Sequence, residues 1–460
     1  MERKGEFFED VISTLERAGH RTCVLRGYRD YPERIGPDID VISEDPARIP
    51  RDLSSIATVV QIFEHETTFF YLCRFDGGKP VFINLDASKN YGYRGRTFFR
   101  DEDFLDTRRK FKSFHIPSAD MEFASYLLRK VTQGELGEEQ GRRLSGLYRE
   151  NPEGSVRRLA RFFSGVEVEL ISDAADSGEW EPVRQRLTPL RRTLLANLDR
   201  EQPLGALRHW TGVLRRRVGR VIRPPGLMVA FLGTDGAGKS TIMARVEEDL
   251  GDAFWTKRQY HKRPLSTPFR WLRQYGLRPP GEAKWEKESG TEASGFTPHA
   301  LPSRGMAYSL AKLGFWWADF VFLGYLAEFL PKLTSPSLLM FDRYYQDLLV
   351  DPRRYHYGGS MRLARLVGRL VPQPHLIIFL DAPPEVLLSR KQELPIEEVT
   401  RQREAYLELV KALPNGHVVD TSRPLDEAAA EAERVILDHM ARRAAGRIKS
   451  SGRMNGETSS

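Results

Sequence analysis

Cysteine is scarce in this chain of 460 residues, which contains only Cys23 and Cys73. Two cysteines exclude the kind of disulfide framework that stabilises small secreted proteins, and they exclude a metal cluster built from several thiolates. This usage is typical of a reducing compartment, so we expect a cytoplasmic protein. The length itself predicts about three domains.

The sequence also lacks a strong excess of charge of either sign. Its formal net charge is +7, from 70 Lys and Arg residues against 63 Asp and Glu residues. Nucleic-acid binding generally requires a basic face with interleaved aromatic side chains, and we expect no nucleic-acid partner. An anionic nucleotide or a membrane surface could use the same positive charge.

No uninterrupted apolar run reaches the roughly 20 residues that a membrane-spanning helix needs. The most apolar stretch, residues 313–327, is interrupted by Asp319 and bounded by Lys312 and Glu328. We therefore expect a helix that is largely buried inside a domain. The first six residues are charged and lead into an amphipathic pattern, from which we expect no signal peptide.

What the chain does contain is a glycine-rich loop between a strand pattern and a helix pattern. Residues 227–232 form a short apolar run that is typical of a buried parallel strand, and residues 242–250 have a helical pattern. Between them the sequence fits G-x-x-x-x-G-K-[ST], the loop that cradles nucleotide phosphates. The loop consists of Gly233, Thr234, Asp235, Gly236, Ala237, Gly238, Lys239, Ser240 and Thr241.

The residue types in this loop suit phosphate chemistry. Glycines let the backbone turn tightly and bring its N–H groups up to phosphate oxygens, and the start of the helix adds partial positive charge. Lys239 can reach the β- and γ-phosphates, and the Ser240 hydroxyl can bind Mg²⁺. The loop therefore predicts a site for ATP or GTP together with Mg²⁺.

The remainder of residues 224–442 alternates strand and helix patterns. Apolar runs at 338–341, 376–380 and 417–419 each lead into an aspartate. Strands that are apolar throughout and alternate with helices predict a parallel sheet with helices on both faces. Residues 265–304 are rich in Pro, Gly and charge, and we interpret them as a lid-like loop because ordinary connections are shorter.

The order and spacing of these motifs resemble thymidylate kinase, within the nucleoside monophosphate kinase group of P-loop proteins. The resemblance covers roughly residues 226–440. Four features carry it: the phosphate loop with its internal Asp235, the strand-terminal Asp342-Arg343-Tyr344, the turn at 380–385 with Arg390 downstream, and a basic helix containing Arg401, Arg403 and Tyr406.

The resemblance implies a role for each of several side chains. Lys239 would hold the phosphate donor, and Asp342 would hold Mg²⁺ or its waters together with Ser240. Arg343 would bridge the donor and acceptor phosphates, a task that suits a planar guanidinium. Arg263 resembles the arginine that binds an acceptor phosphate. The candidate catalytic residues are therefore Lys239, Asp342, Arg343 and Arg263.

Two further contacts follow from the same resemblance. Arg390 is similar to the arginine that stacks on adenine, so we assign it to cofactor binding with the phosphate loop. Arg401 and Arg403 could bring positive charge to the transition state, although surface arginines more often form weak pairs.

The acceptor side departs from the family. Thymidylate kinases follow Asp-Arg-Tyr with a Ser-containing segment that ends in Ala-Tyr-Gln and helps to select thymine, whereas residues 345–355 lack that pattern. Three functions stay open: a nucleoside monophosphate kinase with dTMP as the default acceptor, a kinase of a sugar or polysaccharide precursor, and a scaffold that binds ATP without catalysis. The intact Asp342-Arg343 pair favours a kinase.

Residues 1–103 follow a different order: helix, strand, glycine turn at Gly27, a strand opening with Asp38 and Asp40, and a later strand ending in Asp86. This order resembles the nucleotidyltransferase fold. Residues on one strand face recur every second position, so the resemblance implies a three-carboxylate site for Mg²⁺. Tyr28 stands where that superfamily usually has Ser, and it stays open whether this domain is catalytically active.

Residues 104–223 have mostly helical patterns, which we interpret as an extension and linker. The last of these helices, residues 204–223, carries six arginines and no acid beside a series of apolar positions. Such a helix could contact an anionic membrane peripherally, but we favour packing of its apolar side against the rest of the chain. A homodimer is a further possible assembly.

The sequence thus predicts four segments. Residues 1–103 form a mixed α+β nucleotidyltransferase-like domain, and residues 104–223 form the helical extension. Residues 224–442 form an α/β P-loop domain that takes a nucleotide and a small phosphorylated or sugar acceptor. Residues 443–460 form a disordered tail.

Overall fold

The computed structural model of the chain describes residues 3–261, 305–392 and 394–456. Arg263 and the lid-like loop expected at residues 265–304 lie outside these ranges. The chain divides into two compact units. The first comprises Met1–Val218 with Ala441–Ser460, and the second comprises Gly219–Met440. Residues 104–218 therefore share one unit with residues 1–103.

The first unit contains a five-stranded mixed sheet and two short hairpins. Its strands are Thr22–Val24 (β1), Asp38–Ser43 (β2), Thr58–Glu64 (β3), Thr68–Asp76 (β4), Lys79–Ser88 (β5), Tyr91–Tyr93 (β6), Arg96–Phe99 (β7), Arg109–Phe111 (β8) and Phe114–Ile116 (β9). The large sheet has the order β1-β2-β5-β4-β3, in which β2 and β5 run parallel and the other neighbours run antiparallel. The strands β3 and β4 form an antiparallel hairpin.

Helices complete the first unit and supply two apolar cores. Their bounds are Arg3–Arg17, Ile49–Asp52, Asp101–Leu105, Ala119–Gln133, Glu138–Glu150, Pro152–Leu159, Gly165–Ser177, Glu181–Gln185, Leu187–Glu201 and Gly205–Ile222. The first helix buries Phe7, Phe8, Val11, Ile12 and Leu15 against the sheet, because these residues recur on one helical face. A second core joins the helices between residues 119 and 201.

The end of the chain returns to the first unit. The helix Leu425–Gly456 continues well past residue 443, so the prediction of a disordered tail from that residue is wrong. Ala444 is only 2% exposed within the core that also holds the first helix. Arg447 donates to the backbone carbonyl of Ile62 at 3.0 Å. Apolar positions four residues apart explain this packing, since they fall on one face of a helix.

The second unit is built on a fully parallel sheet. Its strands are Leu227–Leu232 (β10), Thr256–His261 (β11), Ser337–Asp342 (β12), Leu376–Asp381 (β13) and Gly416–Asp420 (β14), in the order β11-β12-β10-β13-β14. The central strand β10 is buried along its whole length. The predicted parallel sheet with helices is confirmed.

Helices connect these strands. They are Lys239–Asp249, Met306–Leu333 with a π-helical middle at Asp319–Phe329, Gln346–Val350, Met361–Leu370, Pro384–Arg390, Ile396–Lys411 and the beginning of Leu425–Gly456. Helical crossover connections of this kind are the normal way to join parallel strands.

The apolar helix Met306–Leu333 corrects one expectation. It was predicted to be largely buried, yet only 33% of its most apolar stretch of 18 residues is buried. Leu313, Trp316 and Phe320 pack into the core. Phe322 and Leu326 are exposed, because a helix can pack against the sheet with only one of its faces. By length and composition alone this helix could cross a bilayer, although a single helix of this kind is weak support for a span.

Candidate nucleotide-binding site

The phosphate loop follows the central strand of the parallel sheet. The chain places β12 on one side of β10 and β13 on the other, so the strand order reverses at the carboxyl end of β10. Ligands of open parallel sheets bind at such a reversal point. The loop of residues 233–238 lies there, and the helix Lys239–Asp249 begins immediately after it.

The backbone of the loop depends on glycine. Gly236 has a φ of +87°, and a Cβ at this position would lie 2.8 Å from the carbonyl oxygen of Leu387. Any other residue would therefore be both strained and crowded. The cradle and the helix start that the motif predicts are thus present, and they fit the polyphosphate of a nucleotide.

Lys239 lies inside this cradle. Its ammonium group donates to the carbonyl oxygens of Gly233 at 3.1 Å and Thr234 at 3.0 Å. Burial, reinforced by the nearby charge of Arg343, lowers the pKa of Lys239 to about 8. A buried cation next to the backbone of a glycine cradle is poised to bind phosphate oxygens.

Two candidate magnesium ligands flank the cradle. Ser240 is exposed at the start of the helix, and Asp342 ends β12 opposite Phe231 of β10. A hydroxyl at the helix start and a carboxylate on the adjacent strand match the donor set that holds Mg²⁺ in phosphate-loop proteins. The residues present therefore fit a Mg²⁺–nucleotide.

Arg343 connects the loop to the adjacent strand. Its backbone has a φ of +70°, and its amide donates to Phe231 at 2.9 Å. Its guanidinium donates to Asp235 of the phosphate loop at 2.7 Å. The structure thus brings together the loop acid and the strand-terminal arginine, although 108 positions separate them in the chain.

A buried network fixes the position of Arg343. Asp347 is fully buried and accepts from Arg343 at 2.7 Å and from the Tyr355 hydroxyl at 2.6 Å. The Tyr406 hydroxyl also donates to Asp347. Burial alone would raise the pKa of Asp347, but the Arg343 charge and these hydroxyls lower it below its usual value. The carboxylate therefore stays ionised and restrains the arginine.

Sequence reasoning missed Arg354. This arginine donates to the second oxygen of the Asp235 carboxylate and lies 3.6 Å from Asp351. Asp235 therefore joins two arginines from different segments beside the phosphate loop. The only sequence signal was the Arg353-Arg354 pair within residues 345–355, where the chain departs from the thymidylate kinase pattern.

The three remaining arginines to which the sequence analysis gave roles, Arg390, Arg401 and Arg403, contact protein groups in the structure. Arg390 donates to the carbonyl of Thr421 at 2.8 Å, and Thr421 donates to the backbone of Asp381 at the end of β13. Arg390 therefore lies near the carboxyl end of β13, at the same edge of the sheet as the phosphate loop. Arg403 forms a bidentate pair with Asp381 at 2.7 and 2.8 Å, and Arg401 pairs with Glu398.

In the first unit, the structure places the predicted carboxylates on adjacent strands. Asp38 lies opposite Asn84, and Asp40 lies opposite Asp86, in the parallel pair β2–β5. Burial, with smaller effects from Asp40 and Asp38, raises the pKa of Asp86 to about 6. The sequence analysis expected these carboxylates on neighbouring strands, and the strand register places them there.

The predicted three-carboxylate magnesium site is nevertheless not formed. Arg26 binds Asp40 through two nitrogens at 2.5 and 2.7 Å, and Arg129 lies 3.7 Å from the same oxygen. Arginine therefore supplies the positive charge that the sequence interpretation assigned to metal ions. Over the described ranges, no group of three or more His, Cys, Asp or Glu side chains is arranged to hold a metal ion.

The strand order, the glycine cradle and the converging Lys and Arg side chains of the second unit are consistent with a P-loop kinase fold. No family model matches the chain. The chain is 28% identical over 219 residues to a probable thymidylate kinase of Archaeoglobus fulgidus, which covers 46% of this chain and 94% of that protein. A thymidylate kinase of Xanthomonas euvesicatoria pv. vesicatoria is 26% identical over 234 residues, or 49% of this chain and 89% of that protein.

About half of the chain is therefore homologous to thymidylate kinases, over a length close to that of the unit Gly219–Met440. This homology supports a kinase, at low sequence identity. The crystal structure of a thymidylate kinase from Ehrlichia chaffeensis aligns with 46% of this chain and 98% of that chain, at 16% identity and a TM-score of 0.30. That superposition is loose, and the fold assignment comes from the strand order itself.

Proposed function

We propose that the protein is an ATP-dependent phosphotransferase whose acceptor is a nucleoside monophosphate, with dTMP as the first candidate. The observation that carries this proposal is the convergence of Lys239, Arg343 and Arg354 on the phosphate loop. Phosphoryl transfer is catalysed mainly by positioning and by positive charge around the migrating group. A protein that only binds nucleotide has no need of the buried arginine network.

Each cation has a distinct task in this proposal. Mg²⁺–ATP supplies the phosphoryl group. Lys239 exchanges its bonds to the carbonyls of Gly233 and Thr234 for stronger bonds to phosphate oxygens. Arg343, held by Asp347, presents a guanidinium in a fixed orientation between donor and acceptor. Arg354 lies beside it on the same carboxylate, which suits an acceptor that carries a phosphate.

The relatives favour a nucleotide acceptor, and a sugar or polysaccharide precursor is the rival. The sugar alternative is supported by residues 345–355, which contain Arg354 and depart from the thymidylate kinase pattern. Both acceptors carry or accept a phosphoryl group, so the arginines alone do not separate them. A scaffold that binds ATP without turnover is the third outcome that the experiment must distinguish.

The test is ADP release by the full chain with Mg²⁺–ATP and a panel of acceptors. We expect release with dTMP or another nucleoside monophosphate, at a rate at least tenfold above that with glucose, glucose 1-phosphate or water. Release with a sugar alone would replace the proposed acceptor. Tight ATP binding with no release for any acceptor would contradict the kinase assignment.

Variants connect that activity to the site. Lys239→Ala should abolish turnover or ATP binding, because it removes the buried cation from the cradle. Lys411→Ala changes an exposed lysine at a helix end of the same unit and should have no effect. Equal activity of Lys239→Ala and the unmodified chain would remove the phosphate loop from the mechanism.

We also propose that the helix Gly205–Ile222 attaches the protein peripherally to an anionic membrane on its cytoplasmic side. Leu207, Trp210 and Leu214 recur on one helical face and are 61%, 64% and 64% exposed. The sequence analysis favoured packing of this face within the chain, and none of the described residues covers it. Arg208 and Arg215 border it on one side and Arg217 on the other, and an exposed apolar face bordered by arginine suits an anionic lipid surface.

The base of this helix is fixed to the first unit. The backbones of Gly95 and Gly205 are in contact, and His209 lies 3.3 Å from Glu66. The helix therefore starts from a defined position. The membrane proposal rests on the charge and exposure of the turns that follow.

A further inference from the structure

The first unit contains a cavity of about 440 Å³ that the sequence analysis did not anticipate. It opens between the turn after Gly27, the hairpin β8–β9 and two helices of the same unit. Its lining residues are Tyr28, Arg29, Arg109, Lys110, Phe111, Ile116, Glu122, Arg143 and Leu147. A volume of this size lies in the range of small-molecule sites.

The charge of the lining is strongly unbalanced. Four cations face the cavity against one carboxylate, Glu122. Glu122 is buried, accepts from Arg143 and lies 3.7 Å from Arg109. Arg109 also donates to Glu150 at 2.5 Å. Arg29 and Lys110 lie at the exposed rim, and Arg29 also acts electrostatically on Glu122. Four cations therefore stand against these two carboxylates, and the cavity carries net positive charge.

Arg143 shows that the inner wall has unused donor capacity. Its guanidinium stacks on Tyr126 at 4.2 Å and binds Glu122 with one nitrogen. Its other terminal nitrogen is buried and has no acceptor within the part of the chain that the structure describes. A buried guanidinium N–H without an acceptor costs free energy, and an anion inside the cavity would supply that acceptor.

The other walls are aromatic and aliphatic. Tyr28 is buried and packs edge-on against Phe111 at 5.4 Å, and Ile116 and Leu147 complete the apolar part. A site of this composition suits a molecule with an anionic group and a less polar body, since polar contacts fix orientation and apolar walls bury the remainder.

We propose that this cavity binds a small, soluble organic phosphate. A phosphate monoester offers three acceptor oxygens and close to two negative charges, which matches guanidinium and ammonium groups approaching from several segments. A carboxylate offers two oxygens and one charge, which is too little for this lining. The cavity is built entirely from residues 28–147, so the proposal does not depend on the phosphate loop or on kinase activity.

The test is calorimetric titration of the full chain with phenyl phosphate, in the presence of saturating Mg²⁺ and a non-hydrolysable ATP analogue that occupies the phosphate loop. We expect saturable binding of one molecule per chain. Benzoate, which has the same ring and a single charge, should bind at least tenfold more weakly. Benzoate binding as tight as phenyl phosphate, or no saturable binding, would overturn the proposal.

Two variants assign the binding to this cavity. Arg29→Gln combined with Lys110→Gln changes exposed rim residues and should weaken phenyl phosphate at least tenfold without affecting folding. Lys79→Gln combined with Arg186→Gln removes the same charge from exposed positions outside the cavity and should change affinity less than twofold. Equal weakening by both pairs would mean a general charge effect and would overturn the site.

The inner wall is tested by a paired replacement. Arg143→Met alone would remove the hydrogen-bonded guanidinium from the buried Glu122, so Glu122→Gln is introduced with it. The double variant should retain its thermal unfolding midpoint within a few degrees and lose phenyl phosphate binding. A folded double variant that binds as tightly as the unmodified chain would contradict the role of Arg143. Displacement of phenyl phosphate by phosphatidic acid vesicles would instead overturn the assignment to a soluble molecule.

Discussion

Lys239 is a charged side chain held in a buried position. Burial and the Arg343 charge lower its pKa to about 8, which is close to the pH of ordinary assays. A bound polyphosphate favours the charged amine, so nucleotide binding above this pH requires proton uptake. Nucleotide binding by the phosphate loop should therefore depend on pH.

The affinity for Mg²⁺–ATP should fall as pH rises above 8, by up to about tenfold per pH unit, because the free chain loses the proton that the complex needs. Isothermal titration between pH 7.5 and 9.5, in two buffers of different ionisation enthalpy, measures both the affinity and the proton uptake. Lys239→Arg keeps its charge throughout this range and should give a flat profile. The same slope in that variant would exclude Lys239 as the titrating group.

Single residues also show where sequence reasoning stops. The loop from Gly233 to Thr241 was predictable because its geometry is local and its residue types are constrained by phosphate chemistry. The contacts of Asp235 with Arg343 and Arg354 span more than 100 positions, and no local pattern encodes them. Strand periodicity predicted that Asp38 and Asp40 share one strand face. The register that sets Asp40 opposite Asp86 is a long-range pairing, and the arginine that binds Asp40 was not interpreted as its counter-charge.

Among the elements, two apolar helices show that a sequence pattern predicts a helix without predicting what its apolar face contacts. The strands of the parallel sheet were predictable because a run that is apolar throughout must be buried on both faces. An amphipathic helix has an apolar face whose partner is not written in its own sequence. The helices Met306–Leu333 and Gly205–Ile222 both expose part of that face, contrary to expectation.

The membrane proposal is tested at the arginine-rich helix Gly205–Ile222. A variant with Leu207, Trp210 and Leu214 each replaced by Gln should lose at least tenfold in sedimentation with vesicles containing 30% phosphatidylserine, because each side chain contributes apolar burial. Replacing Arg215, Arg216 and Arg217 by Gln should abolish the preference for anionic over neutral lipid.

Val166→Gln, at an exposed apolar position outside this helix, is the matched control and should bind vesicles like the unmodified chain. Unchanged sedimentation of the apolar variant would contradict membrane attachment. A dimer of the unmodified chain that the apolar variant converts to a monomer would assign this face to a second copy instead.

For the whole molecule, the order of the chain differs from the order of its compact units. The unit Gly219–Met440 lies within the sequence of the other unit, which begins at Met1 and is completed by residues after Met440. The division into two units with different sheets was partly predictable, because the sequence analysis placed a boundary between residues 223 and 224. The return of the C-terminal helix was not, because its packing partners lie near the start of the chain.

Ala444→Glu should destabilise the first unit and leave the second unit unaffected, because it introduces a charge into a core shared with the first helix. Amide hydrogen exchange should increase in β3 and β4 at least tenfold, with no change in β10 or in the helix Lys239–Asp249. Ala445→Glu makes the same substitution at the adjacent exposed position and should change neither. Faster exchange in β10 in the Ala444 variant would mean that the two units do not unfold separately.

The late position of Ala444 and Arg447 has a consequence during synthesis on the ribosome. A nascent chain can finish the parallel-sheet unit as soon as residue 440 has emerged, whereas the earlier unit waits for the final segment. At about 5–20 residues per second, the intervening stretch holds the amino-terminal sheet incomplete for tens of seconds. Premature termination shortly after residue 440 should therefore release a chain with a finished kinase-like half and an aggregation-prone beginning.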